Sequence, residues 1–392
     1  MKTVLLFLFA LALTAAQPFH KSEAIFPLDA EHNHASAIVE LPNGDLFVCW
    51  YRGAGERTAD NVRIMAARKK KGAAGWSKPF VLADTPEFPD TNPTMFVDSK
   101  NRLWLFWQVI MANEWHTAIT RYRITSDWKT DDFPRWEVSD PLLVIPRNFA
   151  PKVKAALEPF TKAEGRTGEW ARRSIEKAQD KYFARMGWMT RAHPVELPSG
   201  RILVPLYSDG YSFSLIAITD DYGKTWSTSE PLVAGGNIQP SIARRKDGTL
   251  VAYMRDNGGP PKRLHVSESK DNGVTWSPVM DSDIPNPGSG SEVIVLKDGT
   301  WALVNNNLER GRHSLPIWLS DDEGRTWKWK RQLELDNRGE GAGSFHYPSI
   351  IQTKDGMIHV SYSLFLNHIK NGEPRKTIQH AWFNLEWAKE KN

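Results

Sequence analysis

Six short strings in the sequence each set a polar or ring-bearing side chain at the head of a strand-like run. They are His34 in NHASAIV, Asn92 in TNPTMFV, His193 in HPVEL, Gln239 in IQPSIAR, Ser291 in GSEVIVL and Tyr347 in FHYPSII. A second set, Arg52, Gln108, Ser208, Arg255 and Asn306, closes the runs that follow. Together they supply a phenol, guanidinium groups, imidazoles and amides. A guanidinium grips a carboxylate through paired hydrogen bonds. A histidine takes or gives a proton near neutral pH. Amides such as Asn92 and Gln239 suit sugar hydroxyls. Tyrosine, histidine and arginine in one site can hydrolyse an acidic glycoside. They can also carry out lyase chemistry on a uronate, with arginine neutralising the carboxylate.

Histidines gather at the strand starts: His32, His34, His193 and His346. His34 and His193 are expected to face the centre. His346 and Tyr347 are neighbours in an extended segment, which points them to opposite faces. No close histidine pair of the metalloprotease type occurs, so neither a metal nor a cofactor is expected.

What positions these residues is a repeat. The strings AIVELPNGDLFVCWYR, PTMFVDSKNRLWLFWQ, HPVELPSGRILVPLYS, PSIARRKDGTLVAYMR, SEVIVLKDGTWALVNN and PSIIQTKDGMIHVSYS are versions of strand, tight turn, strand. In the third to fifth repeats a second hairpin follows and ends in a phrase of its own: TDDYGKTWS, SKDNGVTWS and SDDEGRTWK. Its Asp can bond backbone amides, its Gly permits positive φ, and its Trp is an apolar plug. The phrase therefore predicts a turn stapled into its own repeat at the outer edge, with no chemical role. Four strands per repeat and six repeats define an all-β, six-bladed β-propeller spanning 17–392 as one domain. The string TIQHAWFNLEW is expected to complete the last blade or close the ring. Helical periodicity interrupts the pattern at 145–188, between blades two and three, and predicts a helical lid or wall over the polar face.

The 392 residues include 41% hydrophobic and 24% charged side chains, ordinary for a globular chain. A net charge of +4 argues against a nucleic-acid partner and is compatible with an acidic ligand. Lys2, the apolar run Val4–Leu13 and Thr14–Ala16 read as a signal peptide over 1–16. An exported protein, periplasmic or secreted, is therefore expected, with no membrane contact after cleavage. The single cysteine, Cys49, is expected in the core. Oligomeric state has no signature here.

The repeated Asp-Gly-Thr-Trp phrases, six blades and polar axial residues resemble the sialidase (neuraminidase) superfamily of BNR, or Asp-box, repeat proteins. The resemblance covers nearly the whole chain after the leader. It implies an exo-sialidase-like glycosidase acting on a carboxylate-bearing carbohydrate. It assigns Tyr347 as nucleophile, and Arg255 and Arg312 as carboxylate ligands with Arg310 as the competitor for the latter role. Asp60, in RGAGERTADN, becomes the acid/base, with Arg52 or Glu56 sharing that loop's work. Two positions depart from the family pattern: His34 or Ala35 stands where the first arginine belongs, and Gln239 stands where a glutamate would activate the tyrosine. A polysaccharide lyase and a non-catalytic glycan-binding propeller are the alternative readings.

Overall fold

The computed structural model describes residues 17–129, 134–338, 342–367, 370 and 372–390; the expected signal peptide, 1–16, lies outside them. Six antiparallel sheets follow one another along the chain. Their innermost strands are His32–Glu40, Asp90–Val97, an interrupted pair Met189–Thr190 and Val195–Glu196, Asn237–Arg244, Glu292–Val295 and Ser344–Gln352. Each pairs with the strand after it, the arrangement of a six-bladed propeller.

The second strand of each blade is apolar on both faces because each face meets a different neighbouring blade. Leu103–Ile110 is buried throughout. Leu103, Leu105 and Trp107 pack with blade one, while Trp104 and Phe106 pack with blade three. The period of two along a strand thus builds two inter-blade cores at once.

The repeated phrases fasten each turn to itself, as expected, and two of them also staple neighbouring blades together. In the first, Thr225 donates to the Asp221 carboxylate through its backbone N–H and hydroxyl, at 2.9 and 2.6 Å, and Gly223 N–H donates to Thr219 Oγ1 at 2.8 Å. The Gly223 carbonyl accepts from the Tyr122 hydroxyl of blade two at 2.9 Å. A Cβ on Gly223 would lie 2.9 Å from the Trp104 ring, and φ there is +88°. Gly324 repeats the device, accepting from Tyr253 of blade four at 3.1 Å.

Helices Phe149–Leu157, Gly165–Lys177 and Lys181–Arg185 fall within the expected insertion. Phe149 packs on Trp188 and Tyr211, and Trp170 Nε1 donates to the Tyr211 carbonyl at 3.2 Å. The insertion therefore buttresses the turn that follows blade three's second strand.

Ring closure uses both chain ends. Lys376–Phe383, within the string expected to finish the last blade, is that blade's third strand; the outermost is His20–Ala24 from the N-terminal side. Its Glu23 carboxylate accepts from Lys69 Nζ at 2.6 Å and Trp76 Nε1 at 2.9 Å, and lies 3.3 Å from His380 Nδ1. His380 Nε2 in turn meets His359 Nδ1 at 2.9 Å. Burial, then the neighbouring His380, lowers His359 to about 3 from an ordinary 6.5. The unfolded chain binds that proton first, so the stabilising contribution is complete above about pH 6.5 and is lost as pH falls toward 3. Burial opposes ionisation of Glu23, but His380 and Lys69 outweigh it and hold the carboxyl at about 2, so its contribution is lost in the same direction below 4.5. The melting temperature should therefore fall progressively between pH 6.5 and 3. His359→Gln should flatten the upper part of that fall in thermal scans across pH; an unchanged slope would refute the linkage.

Candidate functional site

The axial positions are set by counting back from the ends of the innermost strands. Five places before Glu40, Val97, Glu196, Arg244, Val295 and Gln352 stand Ala35, Asn92, Arg191, Gln239, Gly290 and Tyr347. In blades one, two, four and six the ladder slips there. The residue at the slip has positive φ: Ala35 55°, Asn92 43°, Gln239 54° and Tyr347 49°. Left-handed backbone at non-glycine residues is costly and clusters at functional sites. A β-bulge re-aims the side chain it carries. It also breaks the alternation expected of His346 and Tyr347, so both rings end up beside Arg312.

Tyr347 is partly exposed, and its phenol oxygen receives two donors. Arg255 Nη1 donates at 2.9 Å and Gln239 Nε2 at 3.2 Å. The His34 ring stacks on the Tyr347 ring at 4.4 Å between centroids, with its Nδ1 3.0 Å from Ser363 Oγ. It covers the face of the phenol rather than meeting the hydroxyl. The Arg312 and Arg191 guanidiniums lie 5.7 and 5.0 Å from the Tyr347 ring centroid. Asn92 Nδ2 donates to the Tyr207 hydroxyl at 3.1 Å, deeper in the same layer.

Two tautomers follow from donor rules. Arg312 Nη1 lies 2.6 Å from His346 Nδ1 and can only donate, so His346 accepts there and offers its Nε2–H to Ser344 Oγ at 2.7 Å. Lys376 Nζ, 2.7 Å from His32 Nδ1, fixes His32 the same way. His32 Nε2–H therefore faces Glu56 Oε1 at 3.2 Å. That carboxylate also accepts from the Tyr51 hydroxyl at 2.9 Å. Burial and then His346 hold the His34 pKa well below the usual histidine range, and burial and then Arg312 do the same for His346. Neither ring is a proton carrier near neutral pH. Burial opposes ionisation of Glu56, but His32 and Tyr51 outweigh it and lower its pKa. Asp209, half-buried just past blade three's second strand, is raised by burial, with the charge of Arg255 opposing and that of Glu56 adding to the rise.

Several expected residues stand elsewhere. His193 is partly buried and committed elsewhere: its Nδ1 is 2.8 Å from Glu292 and its Nε2 donates to the Ile38 carbonyl at 2.9 Å. It borders an apolar hollow of about 550 Å³ lined by Val39, Val97 and Ile242, toward the hairpin-turn ends of the innermost strands and away from Tyr347. His193 and Glu292, two of the residues lining it, are paired with each other. Arg52 is held by Asp29 and Glu31, each at 2.8 Å, which leaves its guanidinium committed to protein carboxylates. Arg310 is exposed, while Arg312 reaches the phenol. Asp60 is exposed and accepts from Asn113 Nδ2 at 3.1 Å. Tyr347, Gln239, Arg255, Arg312 and His34 are brought together, with Asn92 joined through Tyr207; Arg191, Tyr51 and Asp209 join them without having been expected. Arg191 had a signal: it lies as far ahead of its strand end as Gln239 does. The more conspicuous His193-Pro194 drew the alignment two places too far.

Six four-stranded blades around a Tyr–Arg mouth define a sialidase-like propeller. The chain belongs to the BNR repeat-like domain family, whose model matches residues 44–360. It is 27% identical over 191 residues to an anhydrosialidase of Macrobdella decora, 44% of this chain and 24% of that protein. It is 29% identical over 130 residues to a sialidase of Bacteroides fragilis, 31% of this chain and 23% of that protein. The match thus spans about a quarter of these relatives' length. Among solved structures, a leech intramolecular trans-sialidase in complex with 2,7-anhydro-Neu5Ac superposes with TM-score 0.70 at 14% identity, covering 94% of this chain and 71% of that one. A protein of unknown function from Dyadobacter fermentans gives 0.67 at 15%, covering 93% and 97%. At these identities the likeness establishes the fold.

Gly290 keeps the phenol in place by lacking a side chain. A Cβ there would lie 3.0 Å from Tyr347 Cδ1 and 3.1 Å from Gln239 Oε1. Gly290→Ala should break the Arg255–Tyr347 hydrogen bond in a crystal structure of the variant, at a cost in stability of about 1 kcal/mol or less. An undisplaced phenol would refute the role.

Proposed function

We propose that the protein is an exported sialidase-like glycoside hydrolase acting on a glycan that carries a carboxylate, with Tyr347 as nucleophile and a carboxylic acid as proton donor. One observation carries the reading: the Tyr347 hydroxyl and the Arg255 and Arg312 guanidiniums share one partly open mouth. Export rests on the leader pattern of residues 1–16. The relatives named as sialidases support a carbohydrate substrate.

The chemistry is coherent. An anomeric carbon bearing a carboxylate repels an anionic nucleophile, and a neutral phenol avoids that repulsion. Arg255 has an unpartnered buried Nε among the described residues, and Arg312 spends donors on His346 and the Gly288 carbonyl at 2.8 Å. Both are anchored cations facing the phenol, suited to hold a carboxylate near it.

Gln239 favours a second reading. An amide donating to the phenol cannot take its proton, which suits a lyase or a site that only binds. An unsaturated product absorbing in the ultraviolet would identify the lyase; glycan binding without product would identify the binding module.

Turnover should be measured on aryl glycosides of sialic and uronic acids. Tyr347→Phe should lower kcat/KM by at least ~10³-fold, since the bond-forming oxygen is gone. Arg312→Lys should raise KM by roughly tenfold through loss of planar carboxylate recognition. Full activity in Tyr347→Phe would end the assignment.

A further inference from the structure

The hollow of about 550 Å³ lies where the innermost strands run out, at the other end of the axis from Tyr347. Five blades deliver small branched side chains to it: Val39, Val97, Ile242, Ile294 and Ile351. Val97, Ile294 and Ile351 stay partly exposed there, and Val295 is 42% exposed. An apolar lining left open inside a concavity of this size is the usual form of a small-molecule pocket. The charges around it are unevenly met. Glu196 accepts from the Ser99 N–H and hydroxyl at 2.7 and 2.6 Å, and Glu40 accepts from Lys354 N–H at 2.8 Å. Lys297 Nζ donates to two carbonyls, of Thr353 at 2.9 Å and Lys354 at 2.8 Å. Arg244, the last residue of blade four's innermost strand, makes no hydrogen bond or ion pair among the described residues, and its Nε is buried without a partner. The two carboxylates thus have donors, whereas neither cation has an anion among the described residues.

We propose that this hollow is a second ligand site, for a small free carboxylate with an apolar body. The carboxylate pairs with Arg244, with Lys297 adding positive charge, and the body lies against the valine and isoleucine walls. A guanidinium with an open edge matches a carboxylate through two parallel hydrogen bonds. Hydrocarbon burial supplies the rest, each methylene strengthening binding roughly fourfold. An acidic sugar suits the hollow poorly, because its hydroxyls meet walls that offer no hydrogen bonds. A flat lipid surface does not fill a concavity. The site is distinct from the mouth: Gln352, which lines the hollow, stands five residues beyond Tyr347 on one strand, roughly 16 Å along it. The proposal therefore goes beyond the hydrolase reading and does not depend on it.

The test titrates octanoate into the full chain by calorimetry and locates it by valine and isoleucine methyl NMR. One site per chain is expected, with shifts at Val97, Ile242 and Ile294. Hexanoate, two methylenes shorter, should bind roughly tenfold more weakly. Arg244→Gln should weaken octanoate by at least ~10-fold through loss of the charged pair. Val295→Glu, which sets a like charge on the lining, should weaken it too. Both variants change partly exposed side chains, so the ring should still form. Octylammonium should not bind. Tyr347→Phe and Arg312→Lys should bind octanoate as tightly as the parent chain, which keeps this result apart from the hydrolase reading. No octanoate binding, equal affinity for octylammonium, or a loss in Arg312→Lys without one in Arg244→Gln overturns the proposal. Binding to phosphatidylglycerol vesicles without binding to free octanoate also overturns it, and makes this end of the ring a lipid-facing surface.

Discussion

A single buried anion organises the axis. Glu292 accepts from the His193 backbone at 2.7 Å and from its Nδ1 at 2.8 Å, and from Ile350 N–H at 2.8 Å. Through His193 Nε2 it also reaches the Ile38 carbonyl. One carboxylate thus joins the innermost strands of blades one, three, five and six. Burial works against the charge on Arg191 and Glu292 supports it, while Arg191 Nη2 donates to the Pro348 carbonyl at 2.9 Å beneath Tyr347. A buried charge needs partners to be tolerated. Here those partners come from several blades, so the polar floor under the phenol exists only in the closed ring.

On that floor the bulges do the aiming. Four non-glycine residues hold left-handed backbone at one layer, and each gives up a regular ladder position to do so. The layer below keeps small hydroxyls that bond across blades, as Ser349 Oγ accepts from Ile38 N–H at 3.1 Å and Ser241 Oγ from Val293 N–H at 3.0 Å. Strain above and inter-blade hydrogen bonds below are two halves of one design: rigid inter-blade contacts hold a conformation the local sequence would avoid.

The architecture was legible because it is periodic. Turn glycines, tryptophans and strand pairs recur, and each copy reinforces the others. The insertion was equally plain from its change of period. The site was legible in part. Tyr347, Gln239, Arg255 and Arg312 stood out through their strings, but His34 and His193 were read one and two places from the axial residues Ala35 and Arg191. A bulge inserts a residue without changing the pattern of residue types, so strand counting drifts where the chemistry lies. Asp209 and Tyr51 had no local signal. Their significance comes from neighbours distant in sequence, and a carboxyl group's protonation depends on burial that one string does not encode.

The closing strand also carries a consequence for assembly. Phe19 N–H donates to Asn384 Oδ1 across a separation of 365 residues. Bringing such distant segments together has a large loop-closure entropy and gives no reward until the intervening blades are in place. The seam is therefore the natural last step in forming the ring. Until it forms, the outer edge of Lys376–Phe383 in the last sheet stays unpaired, and it is a surface exposed to pairing with another nascent chain.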